Sequence, residues 1–263
     1  MRLRVIVDGD NQKELLSSGG IAYLLEDENS TILFDCGCSE KHIRTKYGNI
    51  LDVKKVTDIV LAGNKFANIK GFARLNALRY IFDLSENQSK LKNLMAHPDV
   101  FKPKDGEIYM GSIYNKTEED INKFFNLILD KTSKYINHNF IYLGEKPDKK
   151  EKGDNKNYSD VISLIYKSNS GLIIISGKLT LSLNKVMEYA KYIASVYKIR
   201  TFIGGLNLAN NSEDEIENLG KYLQTENLRN LYLFTPLDEN HNKILSKYVN
   251  IKTIIPNKDY TLV

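Results

Sequence analysis

The chain is poor in the side chains that most often carry metal and redox chemistry. It holds two cysteines and four histidines in 263 residues. Cys36 and Cys38 are separated by one residue, a spacing that suits neither an ordinary structural disulfide nor a complete zinc knuckle. Both read as free thiols of a reducing compartment. The histidines His42, His97, His138 and His241 do not fall at metal-ligand spacing, which argues against a metal centre of unfamiliar design. No apolar run approaches the roughly 20 residues that cross a bilayer, so no membrane partner is expected. Residues 1–8 begin as a strand without the apolar core of a signal peptide, and a cytoplasmic location is the expectation. A concentrated basic stripe with interleaved aromatics is also missing. The formal net charge of +4 comes largely from lysines scattered among Asn, Asp and Glu, so no nucleic-acid partner is expected. No P-loop follows a strand and no Gly-x-Ser-x-Gly elbow occurs.

What is present is ordinary for a soluble globular protein: 42% hydrophobic and 27% charged residues, in a chain long enough for one large α/β domain or two small ones. Short strands are predicted over 3–7, 21–26 and 31–35, separated by polar turns such as Glu28-Asn29-Ser30. A helix is predicted over 39–47, opened by Ser39, then a strand over 56–61 and a helix over 67–77. Residues 80–82 and 108–110 are further strand candidates. Residues 116–129 read as an amphipathic helix, with Ile121, Phe124, Phe125, Ile128 and Leu129 at helical spacing. The polar run 148–157 reads as a surface loop. Beyond it the first half's logic repeats. Strands are expected over 160–166, 171–176, 200–203, 228–234 and 252–255, and helices over 183–197, 213–224 and 240–248.

The most informative stretch follows the strand Asp58-Ile59-Val60-Leu61 and reads Leu61-Ala62-Gly63-Asn64-Lys65-Phe66-Ala67-Asn68-Ile69-Lys70-Gly71. Upstream lies Thr31-Ile32-Leu33-Phe34-Asp35-Cys36-Gly37. Together these resemble the first two landmarks of the metallo-β-lactamase superfamily. There a strand ending in Asp-x-Gly is followed by one ending in Ser-His-x-His-x-Asp-His-x-Gly-Gly. The metal-site slots of that pattern here hold Gly63, Lys65, Ala67 and Asn68. Further segments resemble one branch, that of dihydropterin-ribofuranosylaminobenzene-phosphate synthase: Val7-Asp8-Gly9-Asp10-Asn11, Ala96-His97-Pro98, Asp160 with Gly171-Leu172, Gly177-Lys178-Leu179-Thr180-Leu181-Ser182-Leu183-Asn184, and Ile203-Gly204-Gly205-Leu206-Asn207-Leu208. The later His slots hold Thr180 and Asn207. The terminal His-Cys-Thr-Gly segment falls near residues 235–240, where His241 is close by but no His fills the slot.

The resemblance implies a single α/β domain over residues 1–263, built as a four-layer αββα sandwich of two mixed sheets flanked by helices. Within that frame Asp35 alone clearly keeps its metal-site identity. A hydrolytic metal centre needs converging imidazoles and carboxylates with an open water position. Gly63, Ala67 and Asn68 supply no strong ligand, and an ammonium at Lys65 repels a divalent cation. The expectation is therefore no metal, no cofactor and no catalytic residue.

Lys65 and Lys178 would instead project into the volume once held by metals and face Asp35. Ringed by Asn64, Asn68, Thr180 and Asn207, the same cluster would bind an anion such as phosphate or carboxylate. The bland alternative leaves both lysines in solvent. His97, before Pro98, either shapes a turn or touches a ligand. Gly204-Gly205 allows a tight strand exit and close backbone approach. Asp8, Asp10 and Ser18-Gly19-Gly20 are read as turn residues or as cleft lining.

The leading functional reading is non-catalytic: a protein that binds a small anion, regulates, or serves as a partner subunit. The alternatives are a metal-dependent hydrolase or synthase with unrecognised ligands, or a metal-independent enzyme using Lys65, Lys178 and Asp35. A further alternative is an interaction module presenting Tyr189, Tyr192 and Tyr197.

Overall fold

A computed structural model describes residues 1–7, 21–35, 55–62, 92–98, 122, 125–145, 162–179, 182–206, 208–234, 237–255 and 258–262. The chain forms two units, residues 1–131 with 255–263, and residues 132–254.

The first unit carries seven strands: β1 (Arg2–Val7), β2 (Ile21–Glu26), β3 (Thr31–Phe34), β4 (Asp58–Val60), β5 (Lys92–Ala96), β6 (Phe125–Leu129) and β14 (Asp259–Thr261). Their order is β14-β1-β2-β3-β4-β5-β6. The chain reverses between β2 and β3 because Asp27 collects the turn. Its Oδ1 accepts the Asn29 and Ser30 N–H groups at 3.0 and 2.8 Å and the Ser30 hydroxyl at 2.9 Å. This Asx-type closure adds to a backbone bond at the bend, Asp27 N–H to Ser30 O at 3.0 Å, and favours antiparallel strands. From β3 to β6 the pairing is parallel. Strands β3 and β4 are buried along their whole length, the pattern of a sheet covered on both faces.

The helix expected over 116–129 is overturned at its C-terminal end. Phe125 to Leu129 is β6, paired residue by residue with Lys92 to Ala96. A short apolar run fits either period, and here the ladder decides. Asn126 donates through Nδ2 to Asn93 Oδ1 at 2.8 Å, and Asn93 donates in turn to Asp58 Oδ1 at 2.7 Å. That carboxamide row crosses three strands and holds their register. Residues 116–121 lie outside the described residues, as do the elements predicted over 39–47, 67–77, 80–82 and 108–110 and the loop 148–157.

The second unit repeats the design. Its strands are β7 (Lys134–Tyr135), β8 (Phe140–Leu143), β9 (Ser163–Ser168), β10 (Gly171–Lys178), β11 (Ile199–Gly205), β12 (Asn230–Leu233) and β13 (Asn250–Thr253). They run in the order β13-β12-β11-β10-β9-β8-β7. Pairing is antiparallel from β7 to β10 and parallel from β10 to β13. The tight β9–β10 hairpin needs Gly171. Its φ is 129°, and a Cβ there would sit 2.8 Å from the Lys198 carbonyl oxygen.

Three helices are described in this unit: α1 (Leu183–Ala194), α2 (Glu213–Thr225) and α3 (Glu239–Leu245). Helix α1 buries Leu183, Val186, Met187, Ala190 and Ala194, the i, i+3, i+4, i+7 spacing that drives one face onto a sheet. Tyr189 joins that face, with its hydroxyl donating to the Glu145 carbonyl at 2.8 Å. Tyr192 and Tyr197 stand in solvent. Helix α2 starts at a capping box in which Ser212 and Glu215 satisfy each other's backbone N–H groups. The helix-facing side of the sheet contributes Ile141, Ile165, Leu172, Ile174, Phe202 and Leu231 to a continuous core. No helix among the described residues is long and apolar enough to cross a membrane.

Candidate functional site

In a parallel sheet the natural site is the carboxyl end of the strands, where the exits of neighbouring strands stand side by side. The first unit lines up four such exits. Asp35 follows β3 and donates its N–H to Val60 O on β4 at 2.8 Å. Leu61 follows β4 and donates to Met95 O on β5 at 2.9 Å, and Asp130 follows β6 and donates to Ala96 O at 3.1 Å. His97 follows β5. The exits of β3, β4 and β6 are thus tied to β4 and β5, so Asp35 and His97 share one sheet edge. They are separated by β4, about 10 Å at two strand spacings.

Asp35 is buried and has φ 58°. Aspartate tolerates this left-handed conformation better than most non-glycine residues, and it turns the chain sharply out of the sheet. Next to it on β2 stands Tyr23, whose backbone pairs with Phe34 and whose ring lies 6.2 Å from the Phe34 ring. Burial first, and then the Asp35 charge, push the Tyr23 phenol well above its ordinary pKa. The sequence reading missed Tyr23, because a Tyr inside an apolar strand looks like core. Its two-residue alternation with Leu25 and its pairing opposite the strand that ends in Asp35 were the available signals. His97 is fully buried, which fits a structural turn residue better than an exposed ligand contact.

The second unit has its own row of exits. Lys178 is the last residue of β10 and pairs with Gly205 of β11. Leu179 N–H donates to Gly205 O at 2.9 Å, Phe234 N–H to Gly204 O at 3.3 Å and Ile254 N–H to Leu233 O at 2.8 Å. The two glycines serve packing. A Cβ on Gly204 would lie 2.9 Å from the Ser176 carbonyl oxygen, and one on Gly205 would lie 2.6 Å from the Phe234 ring. His241, which the sequence places near the terminal His slot, is buried in α3 and pairs with the Asp238 carboxylate. Asp238 also caps the helix by accepting the His241 N–H at 2.9 Å. That histidine is therefore engaged in a helix start.

Gly63, Asn64, Lys65, Ala67, Asn68, Thr180 and Asn207 lie outside the described residues, as do Asp8, Asp10, 18–20, Cys36, Cys38, His42 and the Lys178 side chain. Their chemistry still bears on a metal. At the slots that follow β4, β10 and β11 the donors are a hydrogen, a methyl, an ammonium, two carboxamides and a hydroxyl, with Asp35 as carboxylate. Among the described residues no three His, Cys, Asp or Glu side chains group as a metal site would require. This donor set does not fit a divalent hydrolytic centre.

No family model matches the chain. Two proteins of Methanocaldococcus jannaschii are similar to it in sequence. One is an uncharacterised protein, 23% identical over 240 residues, covering 85% of this chain and 86% of its own. The other is 7,8-dihydropterin-6-methyl-4-(β-D-ribofuranosyl)-aminobenzene-5'-phosphate synthase, 25% identical over 236 residues, with 79% and 77% covered. Among solved structures, a metal-dependent hydrolase of the β-lactamase superfamily matches with TM-score 0.66 and 18% identity, over 100% of this chain and 99% of that one. The metallo-β-lactamase fold protein YhfI from Bacillus subtilis matches with TM-score 0.58 and 10% identity over 98% of both. The chain has the metallo-β-lactamase fold, the α/β αββα class expected from its sequence.

Proposed function

We propose that this chain is a non-catalytic protein of metallo-β-lactamase fold that binds a small anion, a phosphate or carboxylate, at the strand exits of its first sheet. The observation that carries this reading is Asp35. The frame around it persists: it is buried, left-handed and tied by its N–H to β4. Yet the three His slots of the pattern hold Gly63, Lys65 and Asn68, and its Asp slot holds Ala67. An ammonium at position 65 offsets the carboxylate charge that a metal would otherwise balance and leaves N–H donors for an anion. Asn64 and Asn68 add neutral donors. The two units are taken together as one domain, because the solved hydrolase aligns across the whole chain.

The synthase relative narrows the ligand classes to try, since the compound in its name carries both a pterin and a phosphate. That same relative supports the competing reading, a metal-dependent enzyme with unfamiliar ligands. Elemental analysis of protein purified without chelators separates the two, because stoichiometric zinc, iron or manganese overturns the non-catalytic reading. A thermal-shift screen with phosphates, nucleotides and pterins tests binding. A response in wild type that disappears in Lys65→Ala supports the anion site. No response in either protein, together with a co-purifying second protein, moves the assignment to a partner subunit.

A further inference from the structure

The second unit carries a groove of about 470 Å³ between the start of α1, the exit of β11 and the flank of α2 that carries Ile216, Leu219 and Tyr222. That volume lies in the range of small-molecule sites, about 300–1,000 Å³. Its floor is apolar, made by Leu183, Leu206, Leu208, Ile216 and Leu219. Its rim is neutral and amide-rich, with Asn184, Asn211 and Asn218. Among the described residues that line it there is no lysine or arginine, and the carboxylate there, Glu215, is committed to the α2 capping box. The described lining thus favours an uncharged ligand over an anion.

Several of the polar groups are held in place. The Tyr222 hydroxyl donates to Glu188 Oε1 at 2.6 Å, and Glu188 is itself paired with Lys191 at 2.7 Å, which fixes the Tyr222 ring as a wall. Asn184 Oδ1 accepts the Lys185 N–H at 2.9 Å. Helix α1 begins beside the groove at Ser182, which makes no side-chain cap bond, and its first turn carries no acid. The amide groups of that turn add donors to those of the asparagines.

From these features the geometry points to a binding site for a neutral, flat heterocycle of nucleobase size, seated face-on against the leucine floor and read at its edge by asparagine carboxamides. Asn184 Oδ1 is taken by Lys185 and Asn211 Nδ2 donates to Glu215 at 3.4 Å, so the pairing falls to Asn218, whose carboxamide offers a donor and an acceptor side by side and matches the edge of such a ring. The apolar floor and the Tyr222 ring supply the contact for its face. This site differs from the anion site proposed at Asp35 in the chemistry of its ligand.

The test uses the full chain, isotopically labelled, titrated with adenosine and guanosine and, as controls, with ribose 5-phosphate and inorganic phosphate. Saturable shifts of the Leu208, Leu219 and Tyr222 amides are expected with a nucleoside and not with the controls. Leu219→Trp fills the groove and should abolish them. Asn218→Ala, at an exposed position that leaves the fold intact, should weaken binding about five- to tenfold, the loss of roughly one hydrogen bond. Absence of shifts with either nucleoside overturns the proposal. So does binding unchanged in Asn218→Ala, or an equal response to phosphate alone.

Discussion

Tyr23→Phe should make this protein more stable. The Tyr23 side chain is 1% exposed in the first sheet. Among the described residues its hydroxyl makes no hydrogen bond. A buried hydroxyl without a partner carries its desolvation cost uncompensated, about 1–3 kcal/mol. The neighbouring Asp35 charge and the burial both keep the phenol protonated, so the group gains nothing by ionising. Phenylalanine occupies the same space, keeps the stacked contact with Phe34 at 6.2 Å and removes the oxygen. The expected gain is therefore about 1–3 kcal/mol, read as a higher urea midpoint at unchanged slope. In calorimetry it corresponds to roughly 2–4 °C per kcal/mol for a domain of this size. Tyr23→Leu, which also loses the ring contact, should show no such gain. A Tyr23→Phe protein that unfolds at lower denaturant than wild type would refute the reasoning, because the hydroxyl would then have a satisfied bond in solution.

Three further outcomes follow from the same coordinates. Lys191 joins α1 to the end of α2 through Glu226 at 2.9 Å, with both side chains mostly buried. Lys191→Ala strands that carboxylate and should cost about 1–2 kcal/mol in urea unfolding, whereas an unchanged midpoint would show the pair to be neutral. On β14, Asp259 accepts from Arg2 and from Arg4, the latter through Nη2 at 2.9 Å. Those bonds, Arg4 first, hold its carboxyl well below the ordinary carboxylate range. A depressed folded-state pKa means the stabilisation is complete above the unfolded value near 4 and is lost as pH falls through the lower folded value. The protection of the Tyr260 amide, its exchange relative to the unfolded-chain rate at the same pH, should therefore hold down to about pH 4 and fall below it, and Asp259→Asn should show the lower protection already at pH 7. Gly205→Ala drives a methyl into the Phe234 ring and should lower stability by about 1–3 kcal/mol, measurable as a lower melting temperature. A variant melting with wild type would mean that Phe234 moves aside freely.

The second unit was more legible in the sequence than the first. Helices α1 and α2 bury residues at helical period along 12 and 13 residues, long enough for the pattern to exclude a strand. Strand β10, with its run Leu172-Ile173-Ile174-Ile175, is β-branched and bounded by Gly171, the signature of a strand buried on both faces. Phe125 to Leu129 carried no such length. Its apolar residues meet helical spacing by coincidence, and its partner β5 carries too short an apolar run, Leu94-Met95-Ala96, to mark a strand by period. The site divides in the same way. Which atoms the slots after β4, β10 and β11 can offer a metal is a matter of composition, readable from Gly63, Lys65, Ala67, Asn68, Thr180 and Asn207 without any coordinates.

Tertiary structure decided what each surviving group touches. It set Tyr23 against Asp35, engaged His241 with Asp238 at the start of α3, and pressed Gly205 against Phe234. It also opened the asparagine-rimmed groove between α1 and α2 from residues up to 40 positions apart. Side-chain chemistry and local period are properties of short stretches, so the sequence by itself determined the long elements of the second unit, the resemblance that implied the fold class and which side chains stand at each motif position. Contacts between strands and helices distant in the chain depend on packing and register, and only the folded structure could settle them.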